Sequence, residues 1–196
     1  MQERAQRRLG KNGLQSLSAS NTALNVFAAA CEQAAVGMEI AAVAALAPDR
    51  LAVTSSRGEL TFKQLNDRSN QLARLLRDAG IKAGDAVALV CSNRHEFVVA
   101  RFACHRLGVR LTPVNWHLST AELRYIVANS DAKALLFEAN IGDFCPANVL
   151  ADNDKLLLKI SVGDDLPGFE SWSRSLAQYS ANNIDSPCLG HTMLYT

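Results

Sequence analysis

From Asp49 onward the chain alternates two kinds of hydrophobic pattern. Short apolar or β-branched runs, LAVTS (51–55), AVALVC (86–91), VRLTPV (109–114) and KALLFE (133–138), predict strands. Longer stretches with helical spacing lie between them. In 62–79, Phe62, Leu65, Leu72, Leu75, Leu76 and Ala79 fall on one face of a helix. Thr61 and Gln64 ahead of that stripe predict a capping box, and Gly80 ends it where a left-handed residue is wanted. Before it, Ser56, Arg57 and Gly58 turn the first strand back into ELT. Ser92 or Asn93, with Glu96, predict the cap of the next helix, whose FVVARFACHRL stripe runs to Gly108. Ser119 and Glu122 repeat the capping box before a helix that ends near Asn129.

AVALVC does not alternate, so it reads as a strand buried on both faces, the mark of a parallel sheet. The order β-α-β-α-β predicts an α/β fold with helices packed on such a sheet and right-handed crossovers. Residues 139–153 carry no clear period. LLLKISV (156–162) predicts another strand and FESWSRSLAQY (169–179) a short surface helix. The polar, proline-broken DSPCLG (185–190) leads to a last strand over 192–196, where Met193, Leu194 and Tyr195 are residues of the kind a sheet buries.

Upstream, residues 21–48 form an alanine-rich lead-in with a helical period. Glu32, Gln33 and Glu39 interrupt it, so it does not read as a membrane span. Residues 1–20 carry Arg4, Arg7, Arg8 and Lys11 against Glu3 alone, which fits an organelle transit segment or a basic tail. A tail without fixed structure is the expectation.

Charge adds little direction. Lys and Arg total 20 against 19 Asp and Glu, so nothing in the balance calls for nucleic acid. The five cysteines (31, 91, 104, 145, 188) are scattered and form no C-x-x-C pair. They read as free buried thiols in a reducing cytoplasm rather than disulfides or a zinc site. Cys91, Ser92 and His95 stand close together, but a nucleophile also needs an oriented base and an oxyanion site, and a cap explains the serine more simply. Arg101 and Arg106 read as surface charges, Cys104 as core. Gly80, Gly84 and Asp85 follow a helix and do not make G-x-G-x-x-G, which argues against a nicotinamide domain.

Taken in order, LTFKQLNDRSNQLARLLRDAG, GDAVA, NRHE and RLGVRLTPVNWHLSTAELRYIVANSDA resemble the N-terminal region of adenylate-forming enzymes. These are the acyl-CoA synthetases, luciferases and nonribosomal-peptide adenylation domains. The family's pieces read "LTY.EL...ANRLA..L...G", "GD.VA", "N..E" and "R.G....P.NP.L...E..YI...S.A". The closing HTMLYT is similar to the family's entry into "LYTSGTTG.PKG", a loop that wraps the ATP phosphates.

The resemblance implies a ligase that joins a carboxylic acid, foremost a fatty acid, to AMP and hands the acyl group to coenzyme A, with ATP and Mg. Thr196 would then be the first residue of the phosphate loop. His117 stands in NWHL where many members have NPRL, whose arginine meets a coenzyme A phosphate in some of them. Contact with that phosphate and a plain exposed loop residue are its two readings. NWHL resembles the fatty-acyl synthetases more than the peptide-synthetase domains. The other family motifs lie downstream of such an entry, so these 196 residues alone are expected to be an inactive piece. No catalytic residue and no metal ligand is assigned in it. An aryl-CoA ligase, an amino-acid adenylation domain, or a non-catalytic doubly wound binding module are the alternatives.

Overall fold

The computed structural model describes residues 27–150 and 153–195. The basic stretch 1–20 and Thr196 lie outside the described residues. The lead-in is helical over 27–34, breaks at a turn, and resumes as α1 (Glu39–Leu46). Gly37 makes the break, with φ +78°, where a Cβ would stand 2.4 Å from the His105 carbonyl oxygen. The backbone therefore comes closer there than any side chain allows.

Two strands, β1 (Leu51–Ser55) and β2 (Gly58–Thr61), form an antiparallel hairpin. The helix α2 (Phe62–Asp78) starts on the expected capping box: the Thr61 hydroxyl accepts from the Gln64 N–H while the Gln64 side chain accepts from the Thr61 N–H. Gly80 ends it at φ +87°.

The main sheet is parallel throughout. It consists of β3 (Ala86–Val90), β4 (Arg110–Val114), β5 (Ala132–Glu138), β6 (Leu158–Val162), β7 (Glu170–Ser171) and β8 (His191–Thr192), in spatial order β7-β6-β5-β3-β4-β8. Every residue of β3 is buried, as its unbroken apolar run requires. The connections are α3 (His95–Arg106), α4 (Thr120–Asn129), the short α5 (Pro146–Leu150) and α6 (Trp172–Leu176). One hydrophobic layer joins α1, α2, α3 and α6 to one sheet face through Leu72, Leu76, Val99, Ala103 and Trp172. The other joins α4 and α5 to the opposite face through Leu123, Ile126, Val127 and Val149.

Three expectations about the helices and the thiols need correction. Neither Ser92 nor Asn93 caps α3: Arg94 is its N-cap and makes no side-chain cap bond, because a guanidinium has no acceptor to offer and its donors go to Glu96. The segment 169–179 is no surface helix, since it opens with β7 and its five-residue helix buries Trp172 and Leu176. Of the thiols, Cys91 and Cys104 are buried, whereas Cys31, Cys145 and Cys188 are exposed.

The last strand pairs over His191 and Thr192 and then leaves the sheet. The Met193 N–H donates to the Leu111 carbonyl. Two residues on, the same side of β4 presents Pro113, which has no N–H to offer. Met193, Leu194 and Tyr195 are accordingly not buried in the sheet, and Leu194 is 68% exposed.

Removing the cap hydroxyl by Thr61→Ala should lower unfolding free energy by about 1 kcal/mol. Leu72→Ala, at a position with no exposure, should cost about 2–5 kcal/mol. Urea unfolding followed by circular dichroism measures both.

Candidate functional site

The loops that leave β3 and β4 go to helices on opposite faces of the sheet, as do those that leave β3 and β5. Such divergence opens a crevice at the carboxyl ends of the strands, where doubly wound sheets bind ligands. Here β3 has one crevice on each side.

The crevice between β3 and β5 is filled by charge. Arg94 bonds both oxygens of Glu96, at 2.7 and 2.8 Å, and reaches Glu138 at 2.9 Å. Glu138, the last residue of β5, also accepts the Ser92 N–H at 2.7 Å. Glu138 is 4% exposed and Glu96 6%. Burial alone would raise the Glu138 carboxyl, but the Ser92 bonds and Arg94 outweigh it and hold it below the ordinary range. Gly163, at φ +89°, packs against this guanidinium: a Cβ there would stand 3.1 Å from Arg94 Nη1. The network ties the loop after β3 to the end of β5.

The crevice between β3 and β4 is open. It holds a cavity of about 430 Å³. Cys91 and Asn93 line it from the loop after β3, Pro113 and Val114 from β4, Asn115 to His117 from the loop after β4, Phe97 from α3, and Leu194 and Tyr195 from the segment after β8. Trp116 and His117 lie ring on ring, centroids 3.6 Å apart and tilted by 31°. The Asn115 side chain accepts the His117 N–H at 3.0 Å, which fixes the turn that displays the pair. Tyr195 is anchored outside the cavity by its hydroxyl, which donates to Asn129 at 2.8 Å.

His117 is exposed at the rim of this cavity, so its side chain is free to meet a ligand. The second nominated residue, Thr196, falls outside the described residues. No lysine, arginine or carboxylate lines the cavity, so the lining suits a neutral, partly aromatic or amide-bearing group. It does not suit a triphosphate. Among the described residues no group of three or more His, Cys, Asp and Glu could hold a metal ion.

The trio Cys91, Ser92 and His95 does not assemble a nucleophile. Burial, with Glu138 nearby, pushes the Cys91 thiol far above its ordinary range. Burial likewise lowers His95, whose Nε2 lies 3.3 Å from Glu96 and whose Nδ1 is buried without a partner. The partners that matter here, Arg94 and Glu138, belong to no chemical motif in the sequence. A glutamate closing the apolar run KALLFE is the signal that could have marked one of them.

Comparison with known proteins gives the same frame. The model of a family described as AMP-binding enzyme matches residues 40–188. A medium/long-chain-fatty-acid–CoA/3-oxocholest-4-en-26-oate–CoA ligase of Mycobacterium tuberculosis is 40% identical over 120 residues, which are 60% of this chain and 22% of that protein. A 2-succinylbenzoate–CoA ligase of Bacillus licheniformis is 45% identical over 95 residues, 48% of this chain and 20% of its own length. Among solved structures, a Mycobacterium tuberculosis fatty acyl CoA synthetase superposes with a TM-score of 0.67 at 25% identity, covering 82% of this chain and 32% of that one. The chain thus spans well under half the length of the relatives it matches. Among the described residues no helix is long and apolar enough to cross a membrane.

Glu138 has a pKa below the ordinary 4.5. Its contribution to stability is therefore complete above the unfolded value and is lost as pH falls through the depressed folded one. The wild-type chain should lose unfolding free energy below about pH 4.5 more steeply than Glu138→Gln, in urea titrations across that range.

Proposed function

The chain belongs to the AMP-binding enzyme family, and from that membership we propose that it contributes the amino-terminal part of an ATP-dependent acid–thiol ligase. In the reaction a carboxylate oxygen attacks the α-phosphorus of ATP and pyrophosphate leaves. The thiol of coenzyme A then displaces AMP from the acyl carbon. Magnesium, held with the phosphates, would neutralise their charge in the first step.

The observation that carries the assignment to this chain's own residues is the open crevice at the β3/β4 switch point. Its neutral lining fits the amide-bearing arm of coenzyme A or the acyl group, and His117 at its rim could donate to a phosphate outside it. That bond would be weaker than an arginine's two-pronged one. The triphosphate would be held elsewhere, beginning at Thr196. A fatty acid is the preferred substrate because the mycobacterial relative with 40% identity is named for medium and long acyl chains. An aryl acid is the second reading, favoured by the 2-succinylbenzoate ligase among the relatives. The two buried thiols suit a cytoplasmic setting.

Coenzyme A titrated into the 196-residue chain should change the fluorescence of Trp116, read in a Trp172→Phe background. His117→Ala should weaken that binding by about 1 kcal/mol, or roughly fivefold. The chain alone should not exchange pyrophosphate into ATP with any fatty or aromatic acid. An unchanged fluorescence would remove the coenzyme A contact, and exchange by the chain itself would remove the assignment of phosphate binding to a loop that opens at Thr196.

A further inference from the structure

Arg106, the last residue of α3, has no exposed surface. Sequence pattern alone makes it a surface charge. The structure instead drives its side chain into the seam between α3 and α2. Nε donates to the Phe102 carbonyl at 3.1 Å, and Nη1 to Asn66 Oδ1 at 3.1 Å and to Asn70 Oδ1. Among the described residues no carboxylate bonds to it. Burial pulls its pKa down to about 10, against the attraction of Glu39, which leaves it charged at neutral pH. Nη2 is buried with no partner. A guanidinium buried with no ion partner carries a desolvation cost. Its contribution must therefore be sought in what it orients.

What it orients is two amides. With their oxygens committed to the guanidinium, Asn66 and Asn70 can present only their NH₂ groups on the far side. Asn66 Nδ2 donates to Asn183 Oδ1 at 2.9 Å, and Asn70 Nδ2 to the Ala181 carbonyl at 2.9 Å and Asn183 Oδ1 at 3.1 Å. The same side of α2 continues the pattern. Gln71 donates to the Tyr179 carbonyl, Arg74 to those of Ser180, Asn182 and Asn183, and Arg77 to that of Asp185. The irregular segment 179–185 is thus strapped to α2 through its main chain.

Arg106 holds the continuation as well. Its own carbonyl accepts the Cys188 N–H at 3.0 Å, and that of His105 accepts the Gly190 N–H at 2.7 Å. At Gly190 a Cβ would stand 2.4 Å from the Val109 oxygen, so the strap passes flush against the end of α3. Beyond it come β8 and then Leu194 and Tyr195 in the cavity wall.

We propose that Arg106 is a positioning residue, which by turning Asn66 and Asn70 outward sets the path of residues 179–190 and so places Leu194 and Tyr195 against the crevice. It does not touch the cavity, and the proposal holds whatever ligand the cavity takes.

The test is segment-resolved amide hydrogen exchange with global unfolding measured alongside, on Arg106→Met, Arg106→Lys and Asn70→Asp. Asn70→Asp keeps an oxygen for Arg106, adds a matching charge, and removes the donor to Ala181. In Arg106→Met and Asn70→Asp the amides of residues 188, 190 and 193 should exchange at least tenfold faster, while those of β3 and β5 keep their protection. Arg106→Lys should not restore the strap, because one ammonium cannot hold the guanidinium's fork of acceptors. Equal loss across β3, β5 and 188–193 would make Arg106 an ordinary core residue, and unchanged protection at 188–193 would remove any link to the strap. Should Arg106→Met fail to fold, Asn70→Asp carries the test alone. Coenzyme A titrations of the same variants separate this from the ligase reading. A wild-type chain that ignores coenzyme A while the exchange pattern holds overturns that reading and leaves the positioning intact.

Discussion

The structure hangs on the pairing of β3 with a parallel strand on each side. Val87 sits between Leu111 and Ala134, and Leu89 between Pro113 and Leu136, all on a strand with no exposed residue. A strand placed so must be covered above and below. The chain does this by sending α3 to one face and α4 and α5 to the other. Both crevices beside β3 are consequences of that divergence. Their position at the carboxyl ends of the strands follows from the polarity of a parallel sheet.

The two crevices meet opposite fates for an electrostatic reason. Beside β5, Glu138 and Glu96 bring two carboxylates under cover, and Arg94 compensates both from the same loop. The group is paired, hydrogen-bonded and nearly out of water, so removing Arg94 would strand two buried carboxylates. That rigidity serves the neighbouring crevice, since Cys91 and Asn93 belong to the loop it holds. Beside β4 the lining is neutral, and Pro113 ends the pairing with β8. The chain leaves the sheet there and closes the cavity with Leu194 and Tyr195 instead of extending the strand.

Helix α2 works on two sides at once. Leu65, Leu72, Leu75 and Leu76 pack into the core, and Asn66, Asn70, Gln71 and Arg74 face the returning strap. Because the strap offers carbonyl oxygens, α2 must present donors, and the buried Arg106 ensures that the two asparagines do so. An element without regular hydrogen bonding of its own is thereby satisfied by its neighbour.

Local chemistry was legible in the sequence wherever it is self-contained. The boxes Thr61–Gln64 and Ser119–Glu122 involve residues three apart and appear as read, and the apolar run at 86–90 is the buried central strand. The ordered motifs from Leu51 to Glu138 were enough to reach the family. Long-range partners were not legible. Glu96 abandons capping for Arg94, and Glu138 joins them from 42 or more residues away in the chain. Arg106 looks like any charge on a helix, and only the packing of α3 on α2 removes its water and supplies Asn66 and Asn70. Likewise MLYT has the composition of a buried strand, but Pro113 on β4 decides that its pairing stops after Thr192. Propensity, caps and period depend on residues close in sequence, so the sequence by itself determined the elements and their order. Which charges are buried, and which crevice stays open, depends on groups brought together across the sheet, and that the tertiary structure decided.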